Sequence, residues 1–180
     1  MSAVLKYVGL NPNEVINGND TGKSIKTVGE LQKAIEQAKK HKVNVKTEIK
    51  PNKSSNTTTK SSNEKIALNS YDDDTPTSSQ RCYNRVTPDS YTLEFSCVGQ
   101  YRHGQWVGVT GLDVDISGDG SVYSYRITKR NDLSANYTSS RITMHHDIEV
   151  KEYVGVGKWS VPVNTNTVKG YSYYNIEDWV

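Results

Sequence analysis

Long apolar runs are missing from this chain of 180 residues, which nowhere approaches the ~18 consecutive apolar residues of a membrane helix, so no membrane span is expected. Met1 to Leu10 also lacks the apolar region of a signal peptide, so an exported form implies a leader already removed. Charge of one sign is not in excess. Twenty-two basic against 20 acidic residues leave +2, too little to make nucleic acid or an anionic membrane a default partner. Phenylalanine occurs once and cysteine twice, and two cysteines alone make no zinc site. Leu, Ile, Val and Phe together number 37, about one fifth of the chain, a share that borders on disorder-prone composition.

That deficit is local. All six Arg, all three Trp, the only Phe and ten of the twelve Tyr fall at or after residue 81, whereas twelve of the sixteen Lys precede it. Composition therefore divides the chain into an N-terminal segment (1–44), a polar and flexible linker (45–80) and a β domain (81–180). Pro51 to Glu64 contains no apolar side chain to offset the entropy of ordering, and Asp72-Asp73-Asp74 extends the linker as a solvated spacer. In the first segment, Thr27 followed by Glu30 spells a capping box. Val28, Leu31, Ala34, Ile35 and Ala38 recur at helical spacing, which predicts one amphipathic helix over about 28–41. A helix of that length is marginal alone in water, so it needs a surface to lie on.

After residue 81 the apolar period changes to two. Tyr91, Leu93, Phe95 and Cys97 alternate with Thr92, Glu94 and Ser96, and Ile142, Met144, His146, Ile148 and Val150 alternate with polar neighbours. With 103–110, 112–116, 121–128, 159–163 and 168–174, seven strands are expected, which reads as a mainly β fold, an antiparallel β-sandwich or small barrel. Ser117-Gly118-Asp119-Gly120 is turn chemistry, and pairing Ile116 with Ser121 predicts a hairpin with Val114 opposite Tyr123. Cys82 and Cys97 lie fifteen positions apart, a separation that a disulfide can close at a gain of about 3 kcal/mol in the chain-entropy model. Two unpaired core thiols are the alternative.

Motifs for chemistry are sparse. Gly18 to Ser24 resembles a phosphate loop, but three residues rather than four separate its glycines. Asp113, Asp115 and Asp119 place oxygens as a calcium loop begins, but the position of the bidentate carboxylate is Arg126, so a calcium-dependent adhesion domain stands only as an alternative. His145 and His146 are adjacent in a strand and point to opposite faces, so they do not converge on one metal ion. His146 belongs to the apolar face. On the outer face His145, Asp147 and Glu149 recur every second residue and supply the alternative of a small secreted hydrolase. No cofactor is expected. Twelve Tyr against one Phe favour rings that keep a polar tip in water, and Tyr101, Trp106, Tyr171 and Tyr173, with Trp179, are the candidates for an exposed ligand platform.

The succession of a Lys-rich capped helix (TVGELQKAIEQAKKHK), a Ser/Thr/Lys tether and a Tyr-rich β domain resembles small secreted or surface-associated proteins of Gram-positive bacteria, many of unknown function. The resemblance implies a secreted or cell-surface setting and transfers no functional residue. The reading that follows is an extracellular, non-enzymatic binding or interaction module whose ligand is a protein or a carbohydrate.

Overall fold

In the computed structural model, residues 2–18, 23–41, 44–49, 76–88, 90–118 and 122–179 are described. Most of the expected linker (50–75) and Asp119 lie outside them. From the N-terminus the chain forms helix α1 (Ser2–Tyr7), a 3-10 turn (Pro12–Glu14), strands β1 (Ile16–Asn17) and β2 (Ser24–Ile25), helix α2 (Val28–Ala38) and strand β3 (Asn44–Ile49). There follow β4 (Ser78–Val86), β5 (Tyr91–Arg102), β6 (Gln105–Gly118), β7 (Tyr123–Tyr137), β8 (Arg141–Val156), β9 (Trp159–Asn175) and a last 3-10 turn (Ile176–Asp178). The chain is thus mainly β, with mostly antiparallel pairing.

The described strands form two sheets, and neither closes into a barrel. The long β8–β9 hairpin is the spine of the larger one. β7 runs antiparallel along β8, and β2 pairs with Gly155 and Val156 at its end. On β9, β3 adds a parallel strand over 167–172, and β1 pairs at Trp159 and Ser160. The smaller sheet has the order β4-β5-β6. Alternation on both sheets sends Leu93, Phe95, Val114, Ile142, Met144, Ile148, Val150 and Tyr174 into one shared core.

Five longer strands, β5 to β9, cover the seven segments expected from the sequence because bulges carry pairing through the breaks. Gly111, at φ +58°, interrupts the β6 register opposite Cys97 without ending the strand, so 105–110 and 112–116 belong to one strand, while His103 and Gly104 form the turn before it. β9 likewise continues from 159 to 175, with a register shift beside Pro162, which has no N–H for the ladder. The expected hairpin at 117–120 is not formed as a ladder. β6 pairs with β5, placing Val114 opposite Phe95, while β7 pairs with β8, placing Tyr123 opposite Val154. Turn chemistry specifies a reversal of direction but not the hydrogen-bond partner, and here the chain crosses between sheets. Both Val114 and Tyr125 still face the common core.

The expected Cys82–Cys97 disulfide is also absent. The two residues are directly opposed on β4 and β5, both fully buried and both free thiols. Opposition across adjacent strands makes the two side chains neighbours, which is the alternative of two unpaired core thiols. The hydrogen bond between the thiols, with burial, pushes the Cys82 thiol pKa up and leaves it unreactive.

Residues ahead of the linker pack on the sheet. Leu5, Ile25, Leu31, Ala34 and Ile35 form a second core with Val154 and Val161 at the far end of the hairpin. Residues 45–49, grouped by composition with the linker, belong to β3. Gly170 makes that strand possible, since a Cβ there would meet the carbonyl oxygen and Oγ1 of Thr47. Gly170→Ala is expected to cost about 1–3 kcal/mol in urea unfolding and to raise amide exchange over 44–49. A change below about 0.5 kcal/mol would show that β3 contributes nothing.

Candidate functional site

Outward residues of β8, β9 and β3 share one polar, aromatic face. Tyr171 is 43% exposed, and its ring lies parallel to that of Tyr173 within 10°, centroids 6.4 Å apart. Both follow from the period of two, which also puts His145 across from Tyr171, where the rings meet edge to face at 4.6 Å. The Arg141 guanidinium lies 5.4 Å from the Tyr173 ring centre and donates from Nε to Asn175 Oδ1 at 3.0 Å.

Beside the rings the surface dips into a concavity of about 520 Å3, lined by residues that include Lys46, Glu48, Asp132, Asp147, Lys169 and Tyr171. Asp147 takes Lys169 Nζ at 2.8 Å and Asn131 Nδ2 at 3.3 Å. The Lys169 hydrogen bond holds its carboxyl below the usual carboxylate range. Glu149 is held low in the same way by Thr128 and then Lys129. Thr128 and Asn131 sit at the two register shifts of β7, so bulges on the neighbouring strand aim these donors at the carboxylates. Of the hydrolase alternative, His145 and Asp147 therefore line the concavity, with Asp147 bound as an ionised acceptor, while Glu149 is engaged by β7.

His146 reaches the same concavity from the inner face. It is 2% exposed, stacks on Phe95 at 4.0 Å between ring centres, and shares a 2.7 Å hydrogen bond between Nε2 and Thr47 Oγ1. Thr47 occupies the space that a Gly170 side chain would fill. Burial depresses the imidazole pKa to about 4, so the ring is neutral at pH 7. Its Nδ1 has no hydrogen-bond partner among the described residues.

The other candidates are not gathered here. Trp106, expected on an exposed platform, is 2% exposed in the core, where it fills the place left by the absent side chain of Gly99 and donates from Nε1 to Tyr174 O at 3.2 Å. Tyr101 packs half-buried against it, ring centres 6.1 Å apart, and Trp179 is partly buried between Tyr83 and Tyr174. Asp113 pairs with Arg130 at 3.2 Å, whereas Asp115 lines a separate concavity of about 450 Å3 with Arg85 and Glu94. Asp119 is outside the described residues, among which no group of three His, Cys, Asp or Glu is placed to hold a metal ion.

One cluster has no local signature in the sequence. Glu152, fully buried where the two cores meet, takes His41 Nδ1 at 2.8 Å and Tyr125 Oη at 3.3 Å on Oε1. Burial raises the Glu152 pKa, and His41 opposes the rise. The only available signal was that Glu152 continues the inward series Ile142 to Val150 as a carboxylate on an apolar face. Its partner is 111 residues away. The pair fastens the end of α2 to the sheet.

No protein-family model, no curated protein and no solved structure matches this chain. No helix among the described residues is long and apolar enough to cross a membrane.

Proposed function

We propose that this chain is a non-enzymatic binding module, a β-sandwich displayed outside the cell, that takes its ligand on the outer face of the larger sheet. The observation that carries this reading is the grouping of Tyr171, Tyr173, His145 and Arg141 beside a concavity of about 520 Å3. Its volume falls in the range of about 300–1,000 Å3 of small-ligand sites, and exposed Tyr gives contact area at little cost in conformational entropy. Against Asp147 as a general acid stands its ionised state, held by the Lys169 hydrogen bond. The setting outside the cell rests on the resemblance in composition, since no bridge between the cysteines supports it.

The test is the double variant Tyr171→Ala/Tyr173→Ala, displayed on beads beside the wild type against arrays of glycans and extracellular proteins. A ligand retained by the wild type is expected to be lost tenfold or more. Unfolding free energy should change by only about 0.5–1 kcal/mol, because these side chains lie outside the core. Undiminished binding by the double variant overturns the assignment of this face. Surface labelling of intact source cells with an antibody to the native chain tests the location, and label only after lysis refutes it.

A further inference from the structure

We propose that the ligand of this face is an uncharged oligosaccharide, one sugar ring lying against Tyr171 with its hydroxyls reaching into the concavity between β3, β9 and β8. This deepens the reading above and rests on it. Charge is the first argument. The lining alternates Lys46 and Lys169 with Glu48, Asp132 and Asp147, so neither sign prevails and neither a phosphate nor a polycation meets a complementary field. Closely set donors and acceptors of both kinds match a ligand whose groups both donate and accept, which is the property of the hydroxyl.

The second argument comes from His146. Its Nδ1 is a buried polar atom without a partner among the described residues, on a side chain that lines the concavity and is only 2% exposed. Such an atom in a native structure calls for an explanation, and a ligand or an ordered water supplies one. Because Nε2 faces the Thr47 hydroxyl, itself able to donate or accept, either tautomer is available, and a hydroxyl that reached Nδ1 would satisfy it in both. The third argument is the exposed Tyr171 ring, held edge-on by His145, which offers a flat apolar surface to the C–H face of a pyranose next to those polar groups.

The experiment titrates the 15N-labelled full chain with maltotriose, cellotriose, chitotriose and mannotriose, and with trigalacturonate and a sulfated heparin trisaccharide as charged controls. At least one neutral trisaccharide is expected to shift amides within 45–48, 145–147 and 169–171, and Tyr171→Ala is expected to weaken it tenfold or more. Lys46→Ala, an exposed position, should weaken it several-fold with the fold unchanged. If only a charged trisaccharide shifts these amides, or no sugar does, the oligosaccharide inference fails while the binding face is still judged by the bead assay. Sugar binding that survives the Tyr171→Ala/Tyr173→Ala variant overturns both. Appearance of new reducing ends would contradict the non-enzymatic reading alone.

Discussion

Acidification from pH 7 to pH 5 is expected to lower the stability of the wild type relative to a His146→Phe variant by about 2 kcal/mol, and by about 3 kcal/mol at pH 4. The imidazole is buried between the sheets against Phe95, and burial sets its native pKa near 4 instead of the usual 6.5. A depressed native value means that the unfolded chain binds the proton first. The stabilising contribution is complete above pH 6.5 and disappears as pH falls through the native value. Most of that window lies above the pH at which the low-lying carboxyls of Asp147 and Glu149 take up protons. Glu152, whose native pKa is raised, acts with the opposite sign, which is why the difference between wild type and variant is the quantity to measure. Urea unfolding across pH 4–7 provides it. A flat difference would mean that the ring ionises in place, and burial would then not hold it neutral. The size of the effect matters because total stabilities are about 5–15 kcal/mol.

His41→Ala is expected to destabilise the protein by about 2–3 kcal/mol at pH 7.5, since it leaves the buried Glu152 carboxylate without the His41 Nδ1 partner that sits 2.8 Å from Oε1. Tyr125 and Asn164 remain as neutral donors at 3.3 and 3.5 Å and keep the loss from being larger. The cost should shrink toward pH 5. With His41 gone, only the Asn164 and Tyr125 hydrogen bonds oppose burial at Glu152, its native pKa rises further, and the variant recovers stability by protonating a group that the unfolded chain still leaves ionised. Glu152→Gln in the same background should remove the pH dependence, and a double-mutant cycle between the two positions should give a coupling of 1 kcal/mol or more, by order of magnitude. A pH-independent loss below about 1 kcal/mol would show that the His41–Glu152 contact contributes little to holding α2, which also has its apolar face and the Tyr123 and Asn164 hydrogen bonds to Ala34 O and Ala38 O. Proteolysis within 23–41 gives an independent reading, because a released helix end is cut faster.

The face that carries the candidate site was legible in part. A period of two over 141–151 orders His145, Asp147 and Glu149 outward and His146 inward, and Tyr171 and Tyr173 share a face by the same rule. What that rule omits is the neighbour. Bulges on β7 assign Thr128 to Glu149 and Asn131 to Asp147, and β3 brings Thr47 to His146 across 99 residues. β4 went unnoticed because its inward series, Gln80, Cys82, Asn84 and Val86, is half polar. Asn84 is buried there because its side chain donates to Tyr173 O on the opposing sheet at 3.2 Å, a partner that no local pattern announces.

By itself the amino-acid order determined which side chains turn inward over 91–97, 112–116 and 141–151, because that depends on a two-residue period fixed by the backbone. It also holds the Thr27–Glu30 pair that caps α2, because those bonds span three residues. Only the tertiary structure decided that β6 joins β5 rather than β7, that Trp106 is core because Gly99 leaves it room, that the two thiols meet across β4 and β5 as free cysteines, and that His41 meets Glu152. Each of these depends on distances between segments remote in the chain, where competing partners of similar local quality are separated by packing alone.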